Sequence, residues 1–336
     1  MATAGERLYD LDTRHQIGLA RYSSATVRKM LALLGRTEAD IVEQIEKLSW
    51  DDVTRNSSKA DRLKRMIEAM KVTSREGAVA LGKALKTELQ AFAAYEAEFQ
   101  GKLLSEVEIG FTLRPTAEQL NAAVNARPFQ GRLLREWVKD LDEASFRRLR
   151  DAVRIGFVEG ESVASVVQRV RGTAALGFKD GIMEISRRGA TSLVKTAVTH
   201  VASAAKEEFF RANAGVFRGV RWSSVIDGKT SALCRARDGK IYPIGEGPRP
   251  PGHINCRSTV VAVLKGEPDP PEGETYQGWL KRQPVEVQDD ILGKAKGQLF
   301  RKGGLDLDRF VDRAGKELTL DQLRRTEAAA FEKAGL

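Results

Sequence analysis

Cysteine is almost absent from this chain: Cys234 and Cys256 are the two thiols among 336 residues. So few exclude a disulfide-scaffolded fold, in which a dense set of bridges replaces a core. Long apolar runs are missing as well. No stretch approaches the roughly 20 apolar residues of a membrane-spanning helix, and Met1-Ala-Thr-Ala-Gly-Glu-Arg7 lacks the apolar stretch of a secretory leader. The expectation is a chain with no membrane partner that works inside a cell. There a reducing cytoplasm favours thiol or metal roles for the cysteines over a bridge. Proline does not occur before Pro115, and internal repeats and low-complexity segments are absent.

The chain has a basic balance. Fifty-five Lys and Arg against 46 Asp and Glu give a net charge of +9, with a pI near 9.5. Such a chain is predisposed to an anionic partner, double-stranded DNA foremost. The many carboxylates make the surface mixed rather than uniformly positive. The runs Arg132 to Lys139, Phe146-Arg-Arg-Leu-Arg150 and Lys294-Ala-Lys296 are where phosphate contacts would be sought, and each also reads as an ordinary solvated helix face.

Periodicity predicts an α+β protein in four parts. Residues 1–114 read as a largely helical N-terminal region, with Leu81, Leu85, Leu89 and Phe92 forming one apolar row at helical spacing. Residues 115–175 read as a helical subdomain opening at Thr116, with aromatics that suit a core. Residues 176–266 form a small α+β module: a helix through Leu193, Ala197, Val201, Ala205 and Phe209, then short antiparallel strands at Val216 to Trp222, Lys240 to Tyr242 and Ser258 to Leu264. The turn signals Asp227-Gly228 and Asp238-Gly239 give the first two strands a hairpin-like connection. Residues 267–336 read as the stiff linker Pro268-Asp-Pro-Pro271 and a helical tail, with helices over Val287 to Leu299 and from Leu320 to about Lys333.

The α+β module also gathers both cysteines and one of the three histidines. Cys234 follows Asp227-Gly-Lys-Thr-Ser-Ala-Leu, while His253 and Cys256 lie close together in Pro248-Arg-Pro-Pro-Gly-His-Ile-Asn-Cys-Arg257. Thiolates and imidazole are the usual zinc partners, so Cys234, His253 and Cys256 are candidate metal ligands, with Asp227, Asp238 or water as the fourth. A second reading is a loop clamp held by hydrogen bonds or by a disulfide, the latter worth roughly 3 kcal/mol for a loop of this size. In it Asp227, Thr230, Asp238, Gly239, Asn255 and Arg257 brace the turns, and Arg257 pairs with a carboxylate or a phosphate. A third reading is a catalytic Cys–His pair, which needs a lowered thiol pKa and an adjacent base.

These residues resemble the phage Mu F-like minor head proteins, also called phage head morphogenesis proteins. Those share Trp-x-x-x-x-Asp, then Thr, Cys, Asp-Gly, and later Pro-x-His-x-Asn-Cys-Arg. This chain presents Trp222, Asp227, Thr230, Cys234, Asp238, Gly239, Pro251, His253, Asn255, Cys256 and Arg257 in the same order. The resemblance is strongest over 183–265, and Trp279 to Pro284, Leu292-Gly293 and Phe300 to Gly304 are similar to the tail of many such proteins. Two positions depart from the pattern: Lys195-Thr196-Ala197 stands where relatives carry Arg-Thr-Glu, and Gly252 where they often carry proline.

The resemblance implies a virion protein of a tailed phage or prophage, in low copy inside the head beside the portal, and in the host cytoplasm during assembly. Its expected partners are the portal protein, other head proteins and DNA. Its expected roles are head assembly and DNA packaging or ejection, without enzymatic activity. The alternatives are a basic DNA-binding accessory protein and a Cys/His-dependent enzyme or toxin-like effector.

Overall fold

A computed structural model describes residues 3–47, 58–110, 112–225, 230–267, 276–310 and 318–336. Two long helices form the frame. Helix α1 (Ala4–Glu46) opens on a capping box: the Thr3 hydroxyl accepts from the Glu6 N–H, and the Glu6 carboxylate accepts from the Thr3 N–H. Two amides that would otherwise lack partners are thereby satisfied. Helix α2 (Ser58–Glu106) runs back antiparallel, so Gln44 meets Thr73, Lys29 meets Glu88 and His15 meets Glu96. The absence of proline permits both lengths. Gly77 lets the two helices approach closely, because a Cβ there would fall 2.2 Å from Thr37 Oγ1.

Helices α3 (Ala117–Asn125), α4 (Leu134–Val158) and α5 (Val163–Arg171) pack against this frame, and α6 (Ile182–Ala212) threads its middle. The predicted rows meet there: Leu81, Leu85, Leu89 and Phe92 share one core with Leu193, Ala197, Val201 and Ala205. Helix α6 is buried on nearly every side from Thr196 to Phe210, which explains its many alanines: small side chains let several helices approach one axis. A farther core joins Ile41, Ile45 and Met70 to Leu149, Val153, Val166 and Val170.

Three antiparallel strands follow in the order β2-β1-β3: β1 (Phe217–Ser223), β2 (Ile241–Tyr242) and β3 (Thr259–Leu264). Trp222 pairs with Val260, and Val220 lies between Tyr242 and Ala262. Every residue of β3 is buried, because both faces of the sheet are covered. Val260, Ala262 and Leu264 pack with Leu103, Leu104, Phe209 and Phe210. Val261 turns the other way, onto Trp279, Leu280, Phe300 and Phe331 of the tail. A strand covered on both faces reads as a continuous apolar run rather than an alternation.

The tail comprises α8 (Tyr276–Lys281), α9 (Val285–Leu292), α10 (Lys294–Arg301), α11 (Leu320–Thr326) and α12 (Ala328–Ala334). It is more broken than its periodicity predicts. The segment 287–299 splits at Gly293, whose φ is +80°, and the final helix splits at Glu327, where φ −130° and ψ 37° leave the helical region. Leu323 and Phe331, one on each piece, both reach the tail core. The Pro268-Asp-Pro-Pro271 linker and the Asp227-Gly228 turn signal lie outside the described residues. Among the described residues no helix is long and apolar enough to cross a membrane.

Candidate metal centre

The connection from β1 to β2 carries a helical turn where the sequence suggested a simple hairpin. Helix α7 (Ala232–Arg237) starts at Ser231, whose hydroxyl accepts the Cys234 N–H at 3.2 Å. That cap competes with an extended hairpin and places Cys234 on the first turn of a helix. Its sulfur faces inward against Trp222, with Cys256 completing the cluster and Tyr242 packed beside it.

The other two side chains come from the loop leading into β3. The Cys256 N–H donates to the His253 carbonyl at 3.2 Å, and Asn255 adopts φ +60° to turn the chain, a conformation asparagine tolerates better than most residues. One face of α6 grips this loop. Thr196 Oγ1 accepts the Asn255 N–H at 3.0 Å, Ser192 Oγ accepts the Asn255 side-chain amide at 3.2 Å, and the Thr199 hydroxyl donates to the Cys256 carbonyl at 2.9 Å. Ser192, Thr196 and Thr199 were not singled out as site residues from sequence. Their spacing along one helix face is the signal that could have found them.

Cys234, His253 and Cys256 converge. Cys234 Sγ lies 3.2 Å from His253 Nε2 and 3.7 Å from Cys256 Sγ, and all three donor atoms fall within 4.8 Å of one another. The cysteines are 1% and 2% exposed, whereas His253 is half-buried. His253 Nδ1 lies 2.8 Å from the Ile254 carbonyl; a carbonyl only accepts, so Nδ1 carries hydrogen and Nε2 is the atom turned to the sulfurs. The hydrogen bond from the Cys256 thiol brings Cys234 down to about 4, against the opposing effect of burial and with help from Ser231, Ser258 and His253. Cys256 is pushed up, because it donates to Cys234 and is itself buried. One proton is thus held between two sulfurs that cannot both stay bare at this separation.

Of the remaining predicted residues, Thr230, Asp238 and Gly239 make hydrogen bonds near this group. Asp238 stands outside it: its Oδ1 accepts the Ser224 N–H at 2.7 Å, tying the end of α7 back to β1. Gly239, at φ +78°, donates to the Trp222 carbonyl at 2.9 Å. The Thr230 hydroxyl donates to the Val225 carbonyl. Ser224 links the wall together, with its hydroxyl 2.9 Å from Trp222 Nε1, 3.2 Å from the Cys234 carbonyl and 3.0 Å from Ser258 Oγ. Arg257 points to the exposed side. Asp227 lies outside the described residues.

A second polar cluster went unseen in the sequence. Lys206 of α6 is fully buried, with its ammonium 2.8 and 2.9 Å from the Asp12 carboxylate, 3.1 Å from Thr259 Oγ1 and 3.9 Å from Glu96 Oε1. Glu96 accepts from His15 Nε2 at 2.7 Å and from Gln100 at 3.2 Å, and the His15 ring stacks on Phe99. Burial works to raise Glu96, but His15, Lys206 and Gln100 together hold it below the usual carboxylate value. These groups join α1, α2, α6 and β3, so the sheet is fastened to the helices by charge as well as by apolar packing.

Comparison with known proteins agrees with the motif. Residues 147–261 match the family described as Phage Mu protein F like protein. That span starts within α4, ahead of the strongest motif resemblance, and ends in β3, so the similar tail segments at 279–304 fall outside it. Searches of curated proteins and of solved structures each returned no match.

Proposed function

We propose that this chain is a structural protein of a phage head, carried in few copies, that binds the portal and other head proteins during assembly and lies close to DNA being packaged or ejected. The observation that carries this reading is the Mu F-like match over residues 147–261. That span covers α5, α6, β1, β2, the start of β3 and the Cys/His/Cys group, so the matched sequence includes the helix at the centre of the fold. Within this reading the group is an internal brace of the module: sulfurs so deeply buried suit bracing better than attack on a substrate.

Particles from the encoding phage or induced prophage, analysed by quantitative mass spectrometry, should contain a few copies of this polypeptide each, and crosslinking should join it to the portal protein. Its absence from both proheads and mature particles would sink the proposal.

A second reading, direct DNA contact, is favoured by α4, along which Arg135, Lys139, Arg147, Arg148 and Arg154 are exposed. Lys139 is 3.7 Å from Glu143, and Arg132 is paired with Asp140, so the positive field is partly offset. Affinity for duplex DNA should then fall with a log–log salt slope of about −0.9 per phosphate neutralised. A salt-independent interaction would dispose of this reading.

A further inference from the structure

We propose that Cys234 Sγ, His253 Nε2 and Cys256 Sγ bind one zinc ion, with water as the fourth ligand, and that the ion rivets the loop before β3 to α7. The separations of the donor atoms carry the argument. Zinc at about 2.3 Å from sulfur and about 2.0–2.1 Å from nitrogen, in tetrahedral geometry, needs sulfurs about 3.8 Å apart and sulfur and nitrogen about 3.5 Å apart. The protein holds its sulfurs at 3.7 Å and the first sulfur to the imidazole at 3.2 Å. A disulfide would require the sulfurs to close to about 2.05 Å. Two of the three separations are thus within about 0.4 Å of those of a tetrahedral zinc site, the three donor atoms all lie within 4.8 Å of one another, and the cysteines are not bridged to each other.

The imidazole is aimed as a metal-binding histidine requires. Its Nδ1–H is committed to the Ile254 carbonyl, and this outer hydrogen bond fixes which ring nitrogen faces the sulfurs. The rest of the shell is also in place: Ser231 caps the Cys234 amide and Thr199 holds the Cys256 carbonyl, so neither ligand needs to move far.

The donor set selects the ion. Two thiolates and an imidazole suit zinc and reject magnesium or calcium, which take oxygen ligands. On binding, the proton held between the two sulfurs leaves to solvent, and the two thiolates balance the charge of the ion. His253 is half-buried, so the group is not closed to solvent on every side. This inference rests on the bracing role of the group and stands apart from the phage-head reading. A chain that holds zinc yet is missing from particles would sink only the latter.

The test uses the full chain purified in reductant. Metal analysis should find one zinc per chain, a chelator should remove it, and one added equivalent should restore it. Cobalt in its place should give the thiolate-to-cobalt charge-transfer band and the strong visible absorption of a tetrahedral site. Both signals should vanish in Cys234→Ser and Cys256→Ser and weaken in His253→Ala. The cobalt spectrum of the unaltered chain decides the matter even where a variant fails to fold. Failure of the reduced, folded chain to take up zinc or cobalt would overturn the proposal. So would a cobalt spectrum without thiolate ligation, or zinc retained by the double cysteine variant.

Discussion

The Cys/His/Cys group and the Lys206 cluster are both buried, polar and central to the same module, yet they are built on opposite principles. The first draws its donors from residues 234 to 256 and sets them on turns and one short helix, with α6 holding the loop by side-chain hydrogen bonds. The second draws Asp12, His15, Glu96, Gln100, Lys206 and Thr259 from four elements far apart in the chain. A local cluster is a matter of loop chemistry, and its loss should loosen a loop. A long-range charged cluster is desolvated by the whole fold, and breaking one partner strands the others in a place water cannot reach.

The largest effect should come from the long-range cluster. Lys206→Met leaves the Asp12 and Glu96 carboxylates without their ammonium and should cost about 3–5 kcal/mol in chemical denaturation. Adding Asp12→Leu to Lys206→Met should recover much of that loss, since a buried ion pair is often replaceable by apolar packing. No recovery in the double variant would mean the charges do more than satisfy one another.

Acid should separate the elements by pH window. Burial, with the charge of Arg127 and against hydrogen bonds to the backbone of Ala123 and Arg127, pulls His200 down to about 4. Between its ordinary 6.5 and 4 the unfolded chain binds a proton that the folded chain refuses. Stability should therefore fall by up to about 3 kcal/mol as pH drops through that window, then level off. Glu96 acts lower: with its pKa depressed, its contribution is present above the ordinary glutamate value and lost as pH falls through the folded one. Denaturant midpoints of His200→Asn should be flatter above pH 4 and keep the lower decline. An unchanged profile would count against a neutral buried His200.

Smaller effects should come from the Cys/His loop. Thr196→Val removes the acceptor for the Asn255 N–H and should cost about 1–3 kcal/mol if that amide is left unpaired. Amide exchange at Asn255 should rise more than at Lys206, which would confirm that this region opens locally. The smallest change belongs to Asn255→Gly. It loses the bond to Ser192 but keeps a residue at ease with φ +60°, and should stay within about 1 kcal/mol. Asn255→Val, which resists that conformation, should cost more, and equal effects for the two would remove the conformational argument.

The difference between the two regions is also a difference in legibility. Cys234, His253 and Cys256 could be picked out because scarce side chains stood near turn signals, and the same stretch carries the motif shared with Mu F-like proteins. The helix bearing Cys234 was missed because a hexapeptide (Ala232–Arg237) has too little length for periodicity to show; only the Ser231 cap marked it. The breaks at Gly293 and Glu327 were missed because apolar spacing continues across both. Lys206 sits one residue after Ala205 in an apolar row, and nothing in its neighbours tells a buried ammonium from a solvated one.

Local chemistry and periodicity were enough for the α+β class, the helical character of the N-terminal region, the three strands and the choice of Cys234, His253 and Cys256, since each depends on residues close in the chain. Tertiary structure alone decided which face of α6 grips the Cys/His loop, that β3 is covered on both sides, and that Asp12, Glu96 and Lys206 meet in the interior. Those outcomes depend on which distant surfaces exclude water together. That is a property of the assembled core, which no single window of the sequence contains.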